Sequence, residues 1–508
     1  MNQNLYALFE SRFPADRESP LLILPDESVV TYGQADEGAA RYAALLAGLG
    51  LRPGDRVAVQ VEKSPEALLL YLGCLRAGLA YLPLNSAYQE GEIGYFLENA
   101  EPGAIVAQPR SMPWLQPLAA RLGIRHVFSL DEHGQGSARD AARSAPTRFG
   151  TVERGGDDLA AILYTSGTTG RSKGAMLSHR NLASNAEVLH RFWGFRPGDV
   201  LVHMLPLFHV HGLFVACHCM LLNGSAMRFH PKFDAKRAIA DFAHSTVFMG
   251  VPTLYTRLLA DPALTRESVA GMRLFVSGSA PLLAETHAQF EGRTGHRILE
   301  RYGMTETGML TSNPLEGERR AGSVGPALPG VSVRVVDDDG KPCPPGAIGH
   351  VQVKGPNVFS GYWRMPEKTA EEFTADGYFR TGDVGSLSAD KYLTIVGRSK
   401  DLIISGGYNV YPKEIELALD ELPGVQESAV VGVPHADFGE AVIGVVVPRA
   451  GAHPAERELI DALKKRLANF KVPKRVYIVD ELPRNAMGKV QKNVLRERFN
   501  GAGKAASP

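Results

Sequence analysis

Between residues 56 and 107 the chain reads strand, helix, strand, helix, strand. The pieces are "RVAVQV" (56–61), helical spacing from Ser64 to Ala77, "AYLPL" (80–84), a second helical pattern near 90–99, and "GAIVA" (103–107). Strands this uniformly apolar need cover on both faces, and strands separated by helices pair most readily side by side in parallel. The rhythm therefore predicts an α/β fold built on a largely parallel, doubly covered sheet. Residues 111–158 scatter Ser, Gly, Arg and Asp and read as a surface connection that returns to the core at "LAAILY" (159–164).

From about residue 320 the texture changes to strands and turns, with "DDDG" and "PPG" as turn signals. After "LTIVGRSKDLI" (393–403) comes a compact α+β pattern: helix 412–422, strands "ESAVVGVP" and "AVIGVVVP", helix 455–468 and strand "KRVYIV". We place a boundary at Arg398 to Lys400. This gives a large N-terminal domain, 1–397, with a β-rich part at about 320–397, and a smaller mobile C-terminal domain, 398–508. No repeat of 20–50 residues is visible. At about 150 residues per domain, 508 residues suffice for roughly three cores.

Lys+Arg and Asp+Glu both number 55. With no net charge there is no long-range field for nucleic acid or an anionic membrane, so any phosphate binding must be local. Four cysteines (Cys74, Cys217, Cys219, Cys343) are too few for a disulfide framework and suit a reducing compartment. The N-terminus lacks an apolar core of signal-peptide length, and "LLLYLGCLRAGLAYLPL" is broken by Arg76 and too short to span a bilayer. The expectation is a soluble cytoplasmic protein.

Residues 164–174, "YTSGTTGRSKG", carry mostly hydroxyls, glycines and positive charge. They follow the strand-like "LAAILY" and precede "AMLSHRNLASNAEVLHRFW", which has helical spacing. Such a loop gathers backbone N–H groups, hydroxyls and a lysine around one point, as a polyphosphate requires. It is not a Walker A loop, because Gly170 is followed by Arg171, Ser172 and Lys173. Further loops pair glycine with charge: "RYGMTETG" (301–308), "FRTGDVG" (379–385), "GRSKDLIISGGYNVYPKEIE" (397–416) and "PRNAMGKVQK" (483–492).

These five motifs, in this order and over almost the whole length, resemble the adenylate-forming superfamily of acyl-CoA synthetases, peptide-synthetase adenylation domains and luciferases. The resemblance implies ATP, Mg2+ and coenzyme A as co-substrates and cofactors, with a small carboxylic acid as the partner. Lys489, Thr305 and His209 become the candidate catalytic residues. The implied ATP site comprises Thr165, Ser166, Gly167, Thr168, Thr169, Gly170, Lys173, Ser279, Ala280, Glu300, Tyr302, Gly303, Asp383 and Arg398. Within it Tyr302 flanks the adenine and Asp383 takes the ribose. Glu306 would hold Mg2+ through a carboxylate oxygen. Lys400 matches the hinge, and Gly406 and Gly407 the pantetheine tunnel. Lys489 also resembles the lysine modified by acetyltransferases in bacterial relatives, and acetylation would remove its charge. One more solvated lysine of a basic tail is the weaker reading of Lys489, given its place between Gly488 and an apolar residue in a matching motif.

"FHVHGLFVACHC" (208–219) has three His and two Cys, but Cys217, His218 and Cys219 lack metal-ligand spacing and sit among apolar residues, which favours a buried helix. Within the superfamily, "MGVPTLYTRLL" (249–259), "LPLFHVHGLFVA" and "ERYGMTETGM" look most like malonyl-CoA synthetases. A second carboxylate, if buried, must meet a cation. Arg257 is the expected cation, with Ser277 or Ser279 as hydrogen-bonding candidates, although spacing alone makes Arg257 equally a surface arginine. Medium-chain or aryl-CoA synthetases are the enzymatic alternatives, and a non-catalytic binding protein on the same scaffold is the other class. The absence of a carrier domain after "GAGKAASP" disfavours a peptide-synthetase module.

Overall fold

Ser64 ends the first apolar run and accepts a hydrogen bond from Ala67 N, and Pro65 follows at the first helical position, so the helix Pro65–Arg76 starts where its capping chemistry dictates. It carries the chain from the strand Arg56–Gln60 to Ala80–Pro83, which pairs with it in parallel; Ala104–Ala107 pairs in parallel on the other side. The expected rhythm is thus observed. The computed structural model describes residues 2–165, 172–405, 408–435, 438–467, 469–485 and 488–500.

Contacts divide the chain into two compact units: Met1–Ser332 with Val353–Phe379, and Val333–Gln352 with Arg380–Pro508. The first holds a seven-stranded and an eight-stranded sheet. Ala80–Pro83, Ala104–Ala107, Val247–Gly250 and Leu274–Ser277 are buried at every position, the mark of strands covered on both faces. In the eight-stranded sheet Val200–His203, Val247–Gly250, Leu274–Ser277 and Leu299–Met304 run in parallel, so their C-terminal ends lie along one edge. Gly308–Ser312 then turns back antiparallel on Leu299–Met304.

Two readings of the sequence need correction. Residues 111–158 are not only a surface connection: they supply a helix, Met112–Arg121, and the edge strand His126–Ser129, because Leu115, Leu118, Ala119 and Ile124 join the core. The stretch after the hydroxyl-rich loop does not begin as helix. Lys173–Ser178 is a strand antiparallel to Leu159–Thr165, and the helix His179–Phe192 starts only where Ser178 caps it by accepting from Asn181 N.

In the second unit a four-stranded sheet includes Phe379–Leu387 and Leu393–Arg398. A five-stranded sheet has Gly439–Pro448 between Val425–His435 and Arg475–Ile478. The apolar faces of helices Pro412–Asp420 and Glu456–Lys464 share a core with this sheet through Ile415, Leu419, Leu459 and Leu463. Among the described residues, no helix is long and apolar enough to cross a membrane.

Candidate functional site

Thr165 ends one strand of a hairpin and Lys173 opens the other; the two residues face each other, with Thr165 Oγ1 donating to Lys173 O at 3.4 Å. Residues 166–171 therefore connect two paired strands. Ser166, Gly167, Thr168, Thr169 and Gly170 lie outside the described residues, as do Gly406 and Gly407. The Lys173 ammonium is 3.3 Å from Glu372 Oε1 and 4.0 Å from the centre of the Tyr362 ring. The Tyr362 hydroxyl in turn donates to Glu306 Oε1 at 3.1 Å. Lys173 and Glu306, distant in sequence, are thereby brought to the two sides of one tyrosine.

Thr305 and Glu306 lie in the turn between Leu299–Met304 and Gly308–Ser312. Gly303 faces Met309 across this hairpin, where a β-carbon would stand 2.0 Å from Gly308 O. Only glycine permits that approach. Gly303→Ala is expected to displace the turn, lowering stability by about 1–3 kcal/mol, as overpacking does. Gly292→Ala is the control: it sits in the helix Ala284–Thr294 with open space at its β-carbon, and thermal denaturation of the two variants checks the contrast. Glu300 is buried and has a structural task, since Gly322 N donates to its Oε1 at 3.2 Å and Asn313 N to its backbone oxygen at 2.9 Å. Tyr302 is half-buried and faces Thr311.

The ends of the parallel strands build a second cluster beside this turn. Ser277 closes Leu274–Ser277 and lies opposite Glu300. A β-carbon on Gly278 would fall 2.3 Å from Arg301 Cζ, so the guanidinium rests directly on the bare Gly278 backbone. Ser279 has φ of 71°, a left-handed conformation that is uncommon outside glycine and marks local strain. Its hydroxyl is 3.3 Å from His211 Nδ1. Ala280, next along, is half-buried.

Arg301 is 3% exposed and Ser277 1% exposed. Among the described residues, Arg301 Nε and Nη2, Ser277 Oγ and His211 Nε2 are buried polar atoms without a hydrogen-bond partner. Buried donors are rarely left so, and a group of them marks a place where something else supplies acceptors. Burial lowers the Arg301 guanidinium to about 9, so it keeps its proton at neutral pH. His209 is pushed down to about 4 by burial and then by the Arg301 charge, and His211 falls well below the usual imidazole value for the same two reasons. The cluster thus presents one cation flanked by neutral imidazoles.

The helix Pro252–Ala260 buries Leu254, Tyr255 and Leu258 and leaves Arg257 exposed, the surface placement that its spacing equally allowed. Arg301 is a buried cation that the sequence reading passed over. Its signal was present: a charged side chain in the buried strand Leu299–Met304, between two residues already singled out, Glu300 and Tyr302. The buried, core-packing reading of Cys217, His218 and Cys219 holds. All three are buried, and His218 Nε2 meets the Tyr71 hydroxyl at 2.7 Å.

In the second unit Asp383, 4% exposed, pairs with Arg398 across neighbouring strands, Arg398 Nε lying 2.8 Å from Asp383 Oδ1. Arg398 Nη1 also donates to Thr381 O at 3.0 Å. Lys489 sits on a tight loop: its N–H donates to Asn485 Oδ1 at 2.9 Å, and Arg484, paired with Glu427, donates to Gly488 O at 2.6 Å. Desolvation, then Arg398, holds the Lys489 ammonium below the usual lysine value, with Asp383 opposing and Lys400 adding. Lys400, in the turn Ser399–Asp401, is lowered first by desolvation. Asp383, Arg398, Lys400 and Lys489 therefore form one electrostatic cluster.

The AMP-binding enzyme family model matches residues 10–363, and the model of the AMP-binding enzyme C-terminal domain matches 414–489. The crystal structure of ATP-bound MatB from Rhodopseudomonas palustris superposes with a TM-score of 0.97 at 54% identity, covering 99% of this chain and 100% of that one. A malonate–CoA ligase from Arabidopsis thaliana is 34% identical over 97% of this chain and 89% of its own length. A feruloyl-CoA synthase from Amycolatopsis is 36% identical over 93% of this chain and 94% of its own.

Proposed function

This chain belongs to the AMP-binding enzyme family, and we propose that within it the protein is an acid–thiol ligase that joins malonate to coenzyme A with conversion of ATP to AMP and pyrophosphate. Relatives of similar identity bear the names of different acids, so the pocket has to choose among them. The observation that carries malonate is Arg301: a buried guanidinium, charged at neutral pH, with two N–H groups unpartnered among the described residues and Ser277 and His211 nearby. A substrate with one carboxylate to react and a second to bind supplies what these donors lack, through charge-assisted hydrogen bonds. Neither a medium-chain nor an aryl acid supplies it.

The reacting carboxylate has an ordinary pKa near ~4 and is ionised at neutral pH, so no general base is needed. One of its oxygens forms a bond to the α-phosphorus of ATP, the bond to pyrophosphate breaks, and malonyl-adenylate results. The thiol of coenzyme A then bonds to the acyl carbon, and AMP leaves. Because the first step brings two anions together, catalysis there is mainly charge placement. We assign that task to Lys489, with Thr305 and Lys173 on phosphate oxygens, Asp383 and Arg398 on the ribose, and Tyr302 against the base. His209, neutral beside Arg301, lies at the acyl end. Residues 398–508 form the moving domain in this reading, with Lys400 as its pivot and Gly406 and Gly407 along the thiol path.

Mg2+ fits Glu306: a single buried carboxylate, oriented by Tyr362, matches a hard cation that takes one protein oxygen and completes its shell with phosphates and water. Bound there, the ion would neutralise phosphate charge. The four cysteines are all free, in keeping with a cytoplasmic setting. An acetyltransferase acting on Lys489 would switch the first step off, and full activity of protein acetylated there would exclude that control.

The test is CoA-dependent AMP release with malonate, methylmalonate, acetate, octanoate and benzoate. Malonate, alone or with methylmalonate, is expected to give the highest kcat/KM. A preference for a monocarboxylate would retain the ligase and remove the assignment of Arg301.

A further inference from the structure

Lys63 follows the strand Arg56–Gln60 of the seven-stranded sheet, yet its ammonium ends at the eight-stranded sheet. It is 5% exposed, and among the described residues no carboxylate accompanies it. Three groups receive its hydrogens instead: His203 Nδ1 at 2.6 Å, the His203 carbonyl at 2.8 Å, and the face of the Phe229 ring, whose centre is 4.2 Å away. A buried lysine with no counter-charge is costly to fold around. Its hydrogens are nevertheless all engaged, two of them by one histidine.

That histidine closes the strand Val200–His203, and its Nε2 is 2.8 Å from the carbonyl oxygen of Gly212. A carbonyl can only accept, so Nε2 carries the proton and Nδ1 is the bare nitrogen that receives Lys63. Gly212 lies in the seven-residue π-helix His211–Cys217, a rare widened turn of the kind that clusters at functional sites. Its backbone has no latitude, since a β-carbon there would stand 2.0 Å from Pro206 O. The far end of the same π-helix also touches the imidazole, with Cys217 Sγ 3.3 Å from His203 Nε2. The first residue of the π-helix is His211, which meets the Ser279 hydroxyl and feels the charge of Arg301.

We infer that Lys63 is a positioning residue of the acyl pocket, acting through the tautomer and orientation of His203 on the π-helix that aims His211 at Ser279. Lys63 does not touch the acid itself. It links the two sheets behind the pocket and fixes which nitrogen of His203 faces Gly212. Removing the ammonium leaves Nδ1 buried without a donor, and the imidazole can then satisfy itself by moving its proton or turning its ring. Either change takes the donor away from Gly212 O and frees the start of the π-helix. The elements assigned to the phosphates, the Thr165 hairpin and the Thr305 turn, make none of these contacts with Lys63 or His203 and should not respond. The inference rests on the assignment of this cluster to the acid.

Steady-state kinetics of Lys63→Met, His203→Leu and His203→Gln, with folding followed by thermal denaturation, test it. Lys63→Met and His203→Leu are expected to raise KM for malonate by roughly ten-fold or more, toward the ~10²-fold that a displacement of about 1 Å can produce. KM for ATP should stay within about two-fold, because uniform loss of folded enzyme lowers apparent kcat and leaves both KM values alone. Glutamine offers an N–H to Gly212 O and an oxygen to Lys63, so His203→Gln should recover malonate KM to within a few-fold of wild type. Unchanged malonate KM in folded Lys63→Met, or equal rises in both KM values, would overturn the inference. If Lys63→Met does not fold, the contrast between His203→Leu and His203→Gln decides. If the wild-type enzyme prefers another acid, the malonate assignment fails separately, and the same comparison with that acid still tests Lys63.

Discussion

Arg301→Met lowers kcat/KM for malonate by roughly 10²- to 10³-fold while KM for ATP changes by less than about two-fold; this is the expected result of removing one partner from a buried charge pair, a loss of about 2–5 kcal/mol. The substrate's second carboxylate would otherwise enter a site walled by the Gly278 backbone and neutral imidazoles, with nothing to balance its charge. Stability should move the opposite way. In the free protein Arg301 is a buried cation whose Nε and Nη2 have no partner among the described residues, so replacing it with an apolar chain of similar length relieves a penalty. The midpoint of thermal denaturation for Arg301→Met should therefore equal or exceed that of wild type in the absence of malonate. Malonate should raise the midpoint of wild type and not of the variant, by the usual linkage of binding to stability. Arg301→Lys keeps the charge but loses the planar fork, and should fall between the two. A variant that loses ATP and malonate affinity together, or that merely unfolds, would mean that Arg301 is structural. Arg257→Ala, on the exposed side of its helix, should leave both KM values unchanged.

The contrast between these two arginines shows what a sequence makes legible. The parallel core could be read directly, because "RVAVQV", "AYLPL" and "GAIVA" become paired strands through nothing more than uniform hydrophobicity and short helical crossovers. The motif loops stood out because they gather glycine with hydroxyl or charged side chains. Side-chain direction was harder. Arg257 stands between Thr256 and Leu258 and Arg301 between Glu300 and Tyr302, neighbours that do not reveal direction, and the packing of Tyr255 and Leu258 against the core turns Arg257 outward. The strand Lys173–Ser178 was hidden because its alternation merges with the helical spacing that begins at His179. Lys63 was invisible for a different reason. Its partners are more than a hundred residues away in sequence, and no local pattern announces a lysine that ends on a histidine and an aromatic face.

Ser279 connects these observations energetically. A serine held at φ of 71° stores strain that a glycine would not, yet its hydroxyl is the atom that meets His211. Strained residues of this kind persist where the surrounding structure over-determines them, commonly at functional sites. Here the determinants are the end of Leu274–Ser277 on one side and the π-helix fixed by His203 on the other. The cluster proposed to bind the acid is thus set by packing within the first unit alone. The Lys489 cluster is organised by different residues, in the second.

That separation predicts a clean division of labour for Lys489. Lys489→Ala should slow formation of malonyl-adenylate from ATP and malonate by ~10²- to 10³-fold, the range seen when one group stabilising transition-state charge is removed. Conversion of supplied malonyl-adenylate and coenzyme A to thioester should stay within a few-fold of wild type, since that step meets a neutral acyl carbon and releases AMP. Pyrophosphate release follows the first half-reaction, and thioester absorbance the second. The alkaline limb of the first carries a further signature. Desolvation and the nearby Arg398 hold the Lys489 ammonium below the usual lysine value, so its positive charge, which the step requires, is lost at lower pH than for a free lysine. Adenylation by wild type should accordingly decline on the alkaline side before an ordinary lysine would titrate. Weakening Arg398, as in Arg398→Gln, should move that limb upward even as it lowers the rate by loosening Asp383. In Lys489→Ala the limb should be absent and the residual rate flat. Equal loss of both half-reactions in Lys489→Ala would instead make the lysine a structural part of its loop, where Asn485 and Arg484 already hold the backbone at Gly488 and Lys489 without its side chain.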